Sequence, residues 1–458
     1  MRKSGGQAPL HRKVMIGLVT GGVAGVLAQW FVKSSNPLQQ QVENFANLIN
    51  RNEHPLVDRL KTFSDVVVTP VGDIFLAMIF MIVVPLLLSA LILGVAQIGD
   101  IAKVGRLGIR VLALTVLFSG IAVGLAFAGV NTIKPGTHIS AEKRDELFKA
   151  YEDEGIKKAE VKEPEKVTDP AVIGLVPKNP LLEASRALSG GLLPFMFFAL
   201  VFGVAMAKVD PEKSAPLVQF FEGLFEVSQK VIEMAMNFAP IGVFALVFKT
   251  AAALGLDIFI TLGVYAALVL VLLAIHMFVV YSILLKVLAG RNPIQFFRQM
   301  KTVMLTAFST SSSNATLPVA LTAAHEEVGV PRDISSFVLT IGATANQNGT
   351  ALFEGVTIIF FCQLFNVPLG PAEQLSVLMV AILAGIGTAG VPGGAWPVIG
   401  SIVKTLGVPA GAIGMALGID RILDMSRTVL NVTGDMAIAC CLAKWEGRTG
   451  VIPEEALE

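Results

Sequence analysis

Six long apolar stretches occupy the first 288 residues of the chain: 14–32, 68–97, 107–130, 182–207, 220–253 and 258–288. Each holds about twenty residues or more, and at ~1.5 Å per helical residue that length crosses a ~30 Å hydrocarbon layer. The pattern predicts six membrane helices. The first stretch runs into Gln29-Trp30-Phe31 without a small-x-small cleavage site, so it reads as a retained span rather than a signal peptide. Its basic flank, with His11, Arg12 and Lys13, places the N-terminus in the cytoplasm. The most charged stretch, 137–167, carries Glu142-Lys143-Arg144-Asp145-Glu146 and reads as a solvated loop. Counted from a cytoplasmic N-terminus it follows the third span and is expected outside the cell, within a loop over 135–180.

Beyond Arg291-Asn292-Pro293 the texture changes. Apolar runs shorten and are interrupted at Ser309–Asn314, at Asn346-Gln347-Asn348-Gly349-Thr350, at 385–394 and at 420–435. Polar backbone at bilayer depth is tolerated only where protein or a water-filled cavity surrounds it. Half-helices that meet at such breaks present dipole ends and free carbonyls to substrates and ions. A weak internal repeat accompanies the change. The serine-rich tip runs into Thr316-Leu317-Pro318-Val319, and the glycine-rich one into Ala395-Trp396-Pro397-Val398. Paired, broken segments of this kind point to inverted repeats.

The last apolar stretch carries Asp420, Asp424, Arg427, Thr428, Asn431 and Asp435. At ~100° per residue these fall within an arc of about 100° on one helix face. Ionisable groups in a span are costly and normally mark an interior pathway or site. The residue types suit an amino acid with a second acid group: the Arg427 fork for a carboxylate, Asp424 for an ammonium, and Thr428 and Asn431 for neutral hydrogen bonds. The tip at Ser312 and Ser313 offers hydroxyls and N–H groups to the remaining carboxylate. A self-satisfied network is the other arrangement the spacing allows, since Asp424 and Arg427 stand three residues apart.

Composition narrows the class. Of the 458 residues 54% are hydrophobic and 15% charged, against about a quarter charged in soluble domains. Thirty-five basic residues balance 35 acidic ones, so nothing favours a nucleic-acid partner. Cys362, Cys440 and Cys441 form no disulfide framework or metal-ligand spacing, and no zinc motif or phosphate loop is present. The serine-rich tip has no histidine base with a plausible partner, which argues against an enzyme.

Ser311–Pro318, Gly342-Ala343-Thr344-Ala345-Asn346, Gly349-Thr350-Ala351-Leu352, Ala389-Gly390-Val391-Pro392-Gly393 and Asp424–Asp435 together resemble the dicarboxylate/amino acid:cation symporters, the glutamate transporter family. Five motifs stand in order over about 150 residues, and the N-terminal half matches more weakly. The resemblance implies an all-α protein of the cell (inner) membrane with eight transmembrane helices, two re-entrant helical hairpins and cytoplasmic termini. It implies a homotrimer in lipid, working by an elevator motion. Residues 1–288 would be mainly scaffold and trimerisation helices, with the third and sixth belonging to the transport domain. Residues 289–446 would form its core: hairpin 293–327, helix 331–366, hairpin 371–405 and helix 409–444. Residues 447–458 would form a cytoplasmic tail.

Carried over by position, Asp424 would bind the substrate ammonium and Arg427 its side-chain carboxylate, with Thr428 and Asn431 completing the pocket. Ser312 and Ser313 would face the main-chain carboxylate, with Thr350 near them and Val391 in a lid. One sodium site would use Asp435 with carbonyls of Gly342, Asn346 and Asn431. A second would use carbonyls of Thr344, Gly385, Ile386 and Thr388. No cofactor is implied beyond coupling ions, sodium and protons. Having both Asp424 and Arg427 favours aspartate or glutamate; a C4-dicarboxylate symporter and an anion-conducting channel are the alternatives.

Three departures from the family pattern stand out. Gln347 and Asn348 replace a methionine and an aspartate, and Thr115 and Phe118 replace a tyrosine and a threonine while Ser119 is kept. A third sodium site is therefore expected to be lost or weak. Glu354 matches a glutamate tied to proton coupling in animal members and is expected to carry a proton. Arg421 is a candidate for the charge that archaeal members carry at the Ser311 position. Trp396 is expected to pack, His276 to sit in the core and His325 to be solvated.

Overall fold

The structure is a computed structural model that describes residues 13–29, 64–104, 106–140, 142–144, 147, 176–187, 192–254, 257–387 and 393–448. Their regular structure is all helical, with no strand among them. The N-terminal half comprises α1 (Lys13–Gln29), α2 (Thr69–Phe80), α3 (Val83–Val104), α4 (Arg106–Ile133), α5 (Pro180–Ser185), α6 (Leu192–Lys208), α7 (Pro211–Leu254) and α8 (Asp257–Ile275). Short π-helical turns at His276–Val280 and Leu285–Ala289 extend α8. Val66–Gly94, Gly108–Thr137, Pro211–Phe248 and Asp257–Ala289 are long and apolar enough to cross a membrane.

One expectation changes here. The apolar stretch 182–207 is not one helix: α5, capped by the Asn179 carboxamide, closes at Arg186, and among the described residues helix resumes as α6 from Leu192. Average hydropathy does not register such a break.

The second half is a succession of short helices. They are α9 (Pro293–Gln299), α10 (Lys301–Thr310), α11 (Ser313–Glu326), α12 (Arg332–Ala345), α13 (Asn348–Leu364), α14 (Pro371–Gly387) and α15 (Trp396–Thr405). The 32-residue α16 (Gly414–Trp445) closes the series. Local chemistry sets the breaks. Asn292 caps α9 ahead of a proline at its first turn. Ser311 adopts a left-handed conformation (φ 52°), and the Ser312 hydroxyl caps α11 by accepting from the Ala315 N–H. Asn346 and Gln347 are non-helical and separate α12 from α13.

The second half packs around α16, which is buried along most of its length and touches α7, α8 and α10 to α13. Helix α13 is buried apart from Gln363 and leans on α4. Ile16, Val23, Val116, Ile260, Val271 and Ile283 of the N-terminal half stay exposed. Apolar side chains outside and ionisable ones inside is the distribution that a lipid solvent dictates.

Candidate functional site

Three chain breaks converge on α16. The first is the α10–α11 turn at Ser311-Ser312, the second the α12–α13 break, and the third the turn at Gly393 that leads into α15. Arg427 donates from Nη1 to Asp420 Oδ1 at 3.0 Å, and its Nη2 lies 2.9 Å from Asp424 Oδ1. The other carboxylate oxygen, Asp424 Oδ2, accepts the Gly393 N–H at 3.3 Å and lies 4.0 Å from Arg421 Nη1. The Arg427 guanidinium also covers the face of Phe353, its carbon 4.3 Å from the ring centre. Asp420, Asp424 and Arg427 are all buried. Of the two arrangements the sequence allows, Asp424 and Arg427 adopt the paired one. The physical reason is that a buried charge left alone costs several kcal/mol. Two carboxylates and two guanidiniums, counting Arg421, bring the cluster to neutrality.

One and two turns along, a neutral network joins four elements. The Gln347 Nε2 donates to Ala343 O at 2.9 Å and to Ser313 Oγ at 3.4 Å. Its Oε1 accepts from Asn431 Nδ2 at 2.5 Å and from Thr350 Oγ1 at 3.5 Å. Asn431 also donates to Thr350 Oγ1 at 3.1 Å and accepts the Gly349 N–H at 2.7 Å. Ser313, Thr350 and Asn431, on three different helices, are thus drawn together through one amide. The Thr428 hydroxyl turns instead to Asp424 O of its own helix, at 2.8 Å.

Deeper along α16, the Asp435 Oδ1 accepts from Asn346 Nδ2 at 2.6 Å. Among the described residues no basic side chain pairs with this buried carboxylate. Gly342 lies so close to Asp435 that no Cβ fits between them. The Gly434 Cα faces both Tyr281 and Asn348: a Cβ there would stand 2.5 Å from the Tyr281 hydroxyl and 3.0 Å from Asn348 Nδ2. Asn348 is buried beside Tyr281. The Phe118 ring packs tilted against Tyr281, centres 5.4 Å apart, and Thr115 and Ser119 are buried on the same helix, α4.

The sequence matches the sodium:dicarboxylate symporter family over residues 10–445. The chain belongs to that family. It is 35% identical to the proton/sodium-glutamate symport protein of Bacillus caldotenax over 384 residues, 83% of this chain and 88% of that one. It is 31% identical to the proton/glutamate-aspartate symporter of Escherichia coli strain K12 over 388 residues, 82% and 85% of the two chains. It is also 31% identical to the human excitatory amino acid transporter 3 over 405 residues, 80% and 76%. Membership makes the chain an all-helical membrane transporter.

Within this symporter the described site holds Ser313, Thr350, Asp424, Arg427 and Asn431 in one connected region, with Gly342, Asn346 and Asp435 beside it. Ser312 caps its own helix. Thr344 lies in α12, and Gly385 and Ile386 in α14, where only the backbone is described. Thr388 and Val391 lie outside the described residues. Glu354 is fully buried on α13, next to Phe353. His276 is buried with its ring edge-on to Tyr281, and His325 is exposed. Two participants escaped the sequence reading. Asp420 shows only as part of the polar stripe, and Gln347 only as a departure at a helix break; nothing in one dimension aims its amide at three other helices.

Proposed function

We propose that the chain is a secondary active symporter that carries aspartate or glutamate across the cell membrane with coupled cations. The carrying observation is the buried Arg427–Asp424 ion pair, with a backbone N–H on one side and the Ser313–Gln347–Asn431 network on the other. An acidic amino acid replaces both halves of that pair. Its side-chain carboxylate takes the place of Asp424 on the Arg427 fork, and its ammonium takes the place of Arg427 on Asp424. Ser313 and the N–H groups of its turn receive the main-chain carboxylate. No charge is left alone at either end of the exchange, which keeps the barrier low in a medium of low dielectric.

Cation coupling follows from the same charge count. The cluster at 420, 421, 424 and 427 is neutral, so a ligand of net charge −1 leaves it anionic. Asp435, with no basic partner among the described residues, adds a further negative charge. Oxygen ligands around Asp435 and Asn346, with the carbonyls of Gly342 and Asn431, suit a hard cation. A second cation would take the carbonyls of Thr344, Gly385, Ile386 and Thr388, the set that the family resemblance implies. Around Asn348 an amide stands where the family carries a carboxylate, and the phenyl ring of Phe118 lies against Tyr281, so fewer than three sodium ions accompany each substrate. Glu354, buried on α13 and next in sequence to Phe353, is the proton carrier.

The architecture that goes with this reading has eight spans and two re-entrant hairpins, at 293–327 and 371–405. The core of the transport domain, 289–446, moves against a trimeric scaffold, and both termini face the cytoplasm. A C4-dicarboxylate symporter is the second reading, favoured by Arg421, which gives Asp424 a cation even when the ligand has no ammonium. Purified protein in liposomes, given sodium and proton gradients separately, tests the proposal. Labelled aspartate should accumulate with a gradient and at a sodium-to-substrate ratio below three. Uptake that ignores both gradients, or a ratio of three, would contradict it.

A further inference from the structure

Trp396 opens α15 three residues after Gly393, whose positive φ of 79° turns the chain sharply. The two are tied: the Trp396 N–H donates to Gly393 O at 3.2 Å. This one turn touches one charge of the site directly and reaches the other through Phe353. Its Gly393 N–H holds Asp424 Oδ2. Its indole meets Phe353 edge-to-face, ring centres 5.7 Å apart at 84°. The face of Phe353 is the surface that Arg427 covers. All three side chains of the stack are buried.

Edge-to-face pairs have a preferred geometry, and a cation over a ring is held by the ring's quadrupole. The indole therefore sets where Phe353 lies, and Phe353 sets where the guanidinium rests once it lets go of a carboxylate. A leucine would fill much of the same volume. It would also bury no indole N–H, and the Trp396 Nε1 is buried without a hydrogen-bond partner. A buried donor without a partner costs about 1–3 kcal/mol, so packing alone is a poor reason for a tryptophan here.

We propose that Trp396 is a positioning residue for acid recognition: through Phe353 it holds Arg427 in the place where the fork meets the ligand's side-chain carboxylate. The turn after Gly393 thus reads the ammonium end through its N–H and the acid end through its indole. This rests on the amino-acid reading of the site given above.

The test is competition of labelled aspartate uptake by unlabelled aspartate and by asparagine. The two differ only in the group that Arg427 would grip. Wild type, Trp396→Phe and Trp396→Leu are compared in liposomes, with Phe353→Leu as a second break in the same stack. The ratio of the two half-inhibition concentrations is the readout, because a general loss of folded protein lowers uptake without moving it. Trp396→Phe should keep the wild-type ratio. Trp396→Leu and Phe353→Leu should each lower it about five- to thirtyfold, mostly through weaker aspartate binding. If Trp396→Leu does not fold, Phe353→Leu decides whether the stack matters and Trp396→Phe whether an aromatic ring at 396 suffices. An unchanged ratio in a folded leucine variant would overturn the proposal and leave the symporter reading standing. Absence of saturable aspartate uptake in wild type would sink that reading, and this one with it.

Discussion

Gln347 makes four hydrogen bonds with one amide, to Ser313, Ala343, Thr350 and Asn431. Replacing it by leucine keeps most of the volume and removes every one of them. Asn431 Nδ2 would keep Thr350 Oγ1, but Ser313 would lose its link to α16. A buried polar group deprived of its partner costs about 1–3 kcal/mol. Gln347→Leu should therefore lower the thermal midpoint in detergent and raise KM for aspartate about tenfold, with a smaller change in maximal rate. An unchanged KM would mean that the network does not shape the pocket. At this scale part of the site was legible in the sequence. Asp424, Arg427 and Asp435 stand out because a charge inside an apolar helix needs a reason. Their partners do not, because three-residue spacing allows both a closed pair and an open pocket, and an amide at a break reads simply as a break. Phe353 and Trp396 look like core aromatics, and their link to Arg427 exists only once α13, α15 and α16 are packed.

Among the elements, the α12–α16 contact is where the proposed function puts a coupling cation. Gly342 lets α12 approach α16 so closely that its backbone borders the Asp435 carboxylate. A methyl group there has nowhere to go, since the neighbour is a buried carboxylate already bonded to Asn346. Gly342→Ala should push the two helices apart. Uptake should need several-fold more sodium for half-maximal rate, while aspartate competition at saturating sodium stays close to wild type. Equal loss at all sodium concentrations would show a folding defect instead. Legibility differs between the two halves of the chain at this scale. Long spans such as Asp257–Ala289 are plain from hydropathy alone. The end of α5 at Arg186 is not, because a helix end inside an apolar stretch barely moves an average over twenty residues.

For the molecule as a whole, the account rests on charge conservation in a site shielded from water. Glu354 lies fully buried in α13, next in sequence to the Phe353 that Arg427 covers. A carboxyl that takes up and releases a proton during the cycle makes uptake depend on pH. Glu354→Gln, which keeps the shape and removes the proton, should flatten the pH profile of aspartate uptake between about pH 5 and 8. A profile that stays as steep as wild type would remove Glu354 from the coupling. The most direct test of the central claim is competition of gradient-driven aspartate uptake by succinate, which keeps both carboxylates and lacks the ammonium. With only Arg421, 4.0 Å away and not hydrogen-bonded, in place of an ammonium, Asp424 should make succinate at least tenfold weaker than aspartate or glutamate. Succinate competing as well as aspartate would contradict the exchange of ion pairs at Asp424 and Arg427.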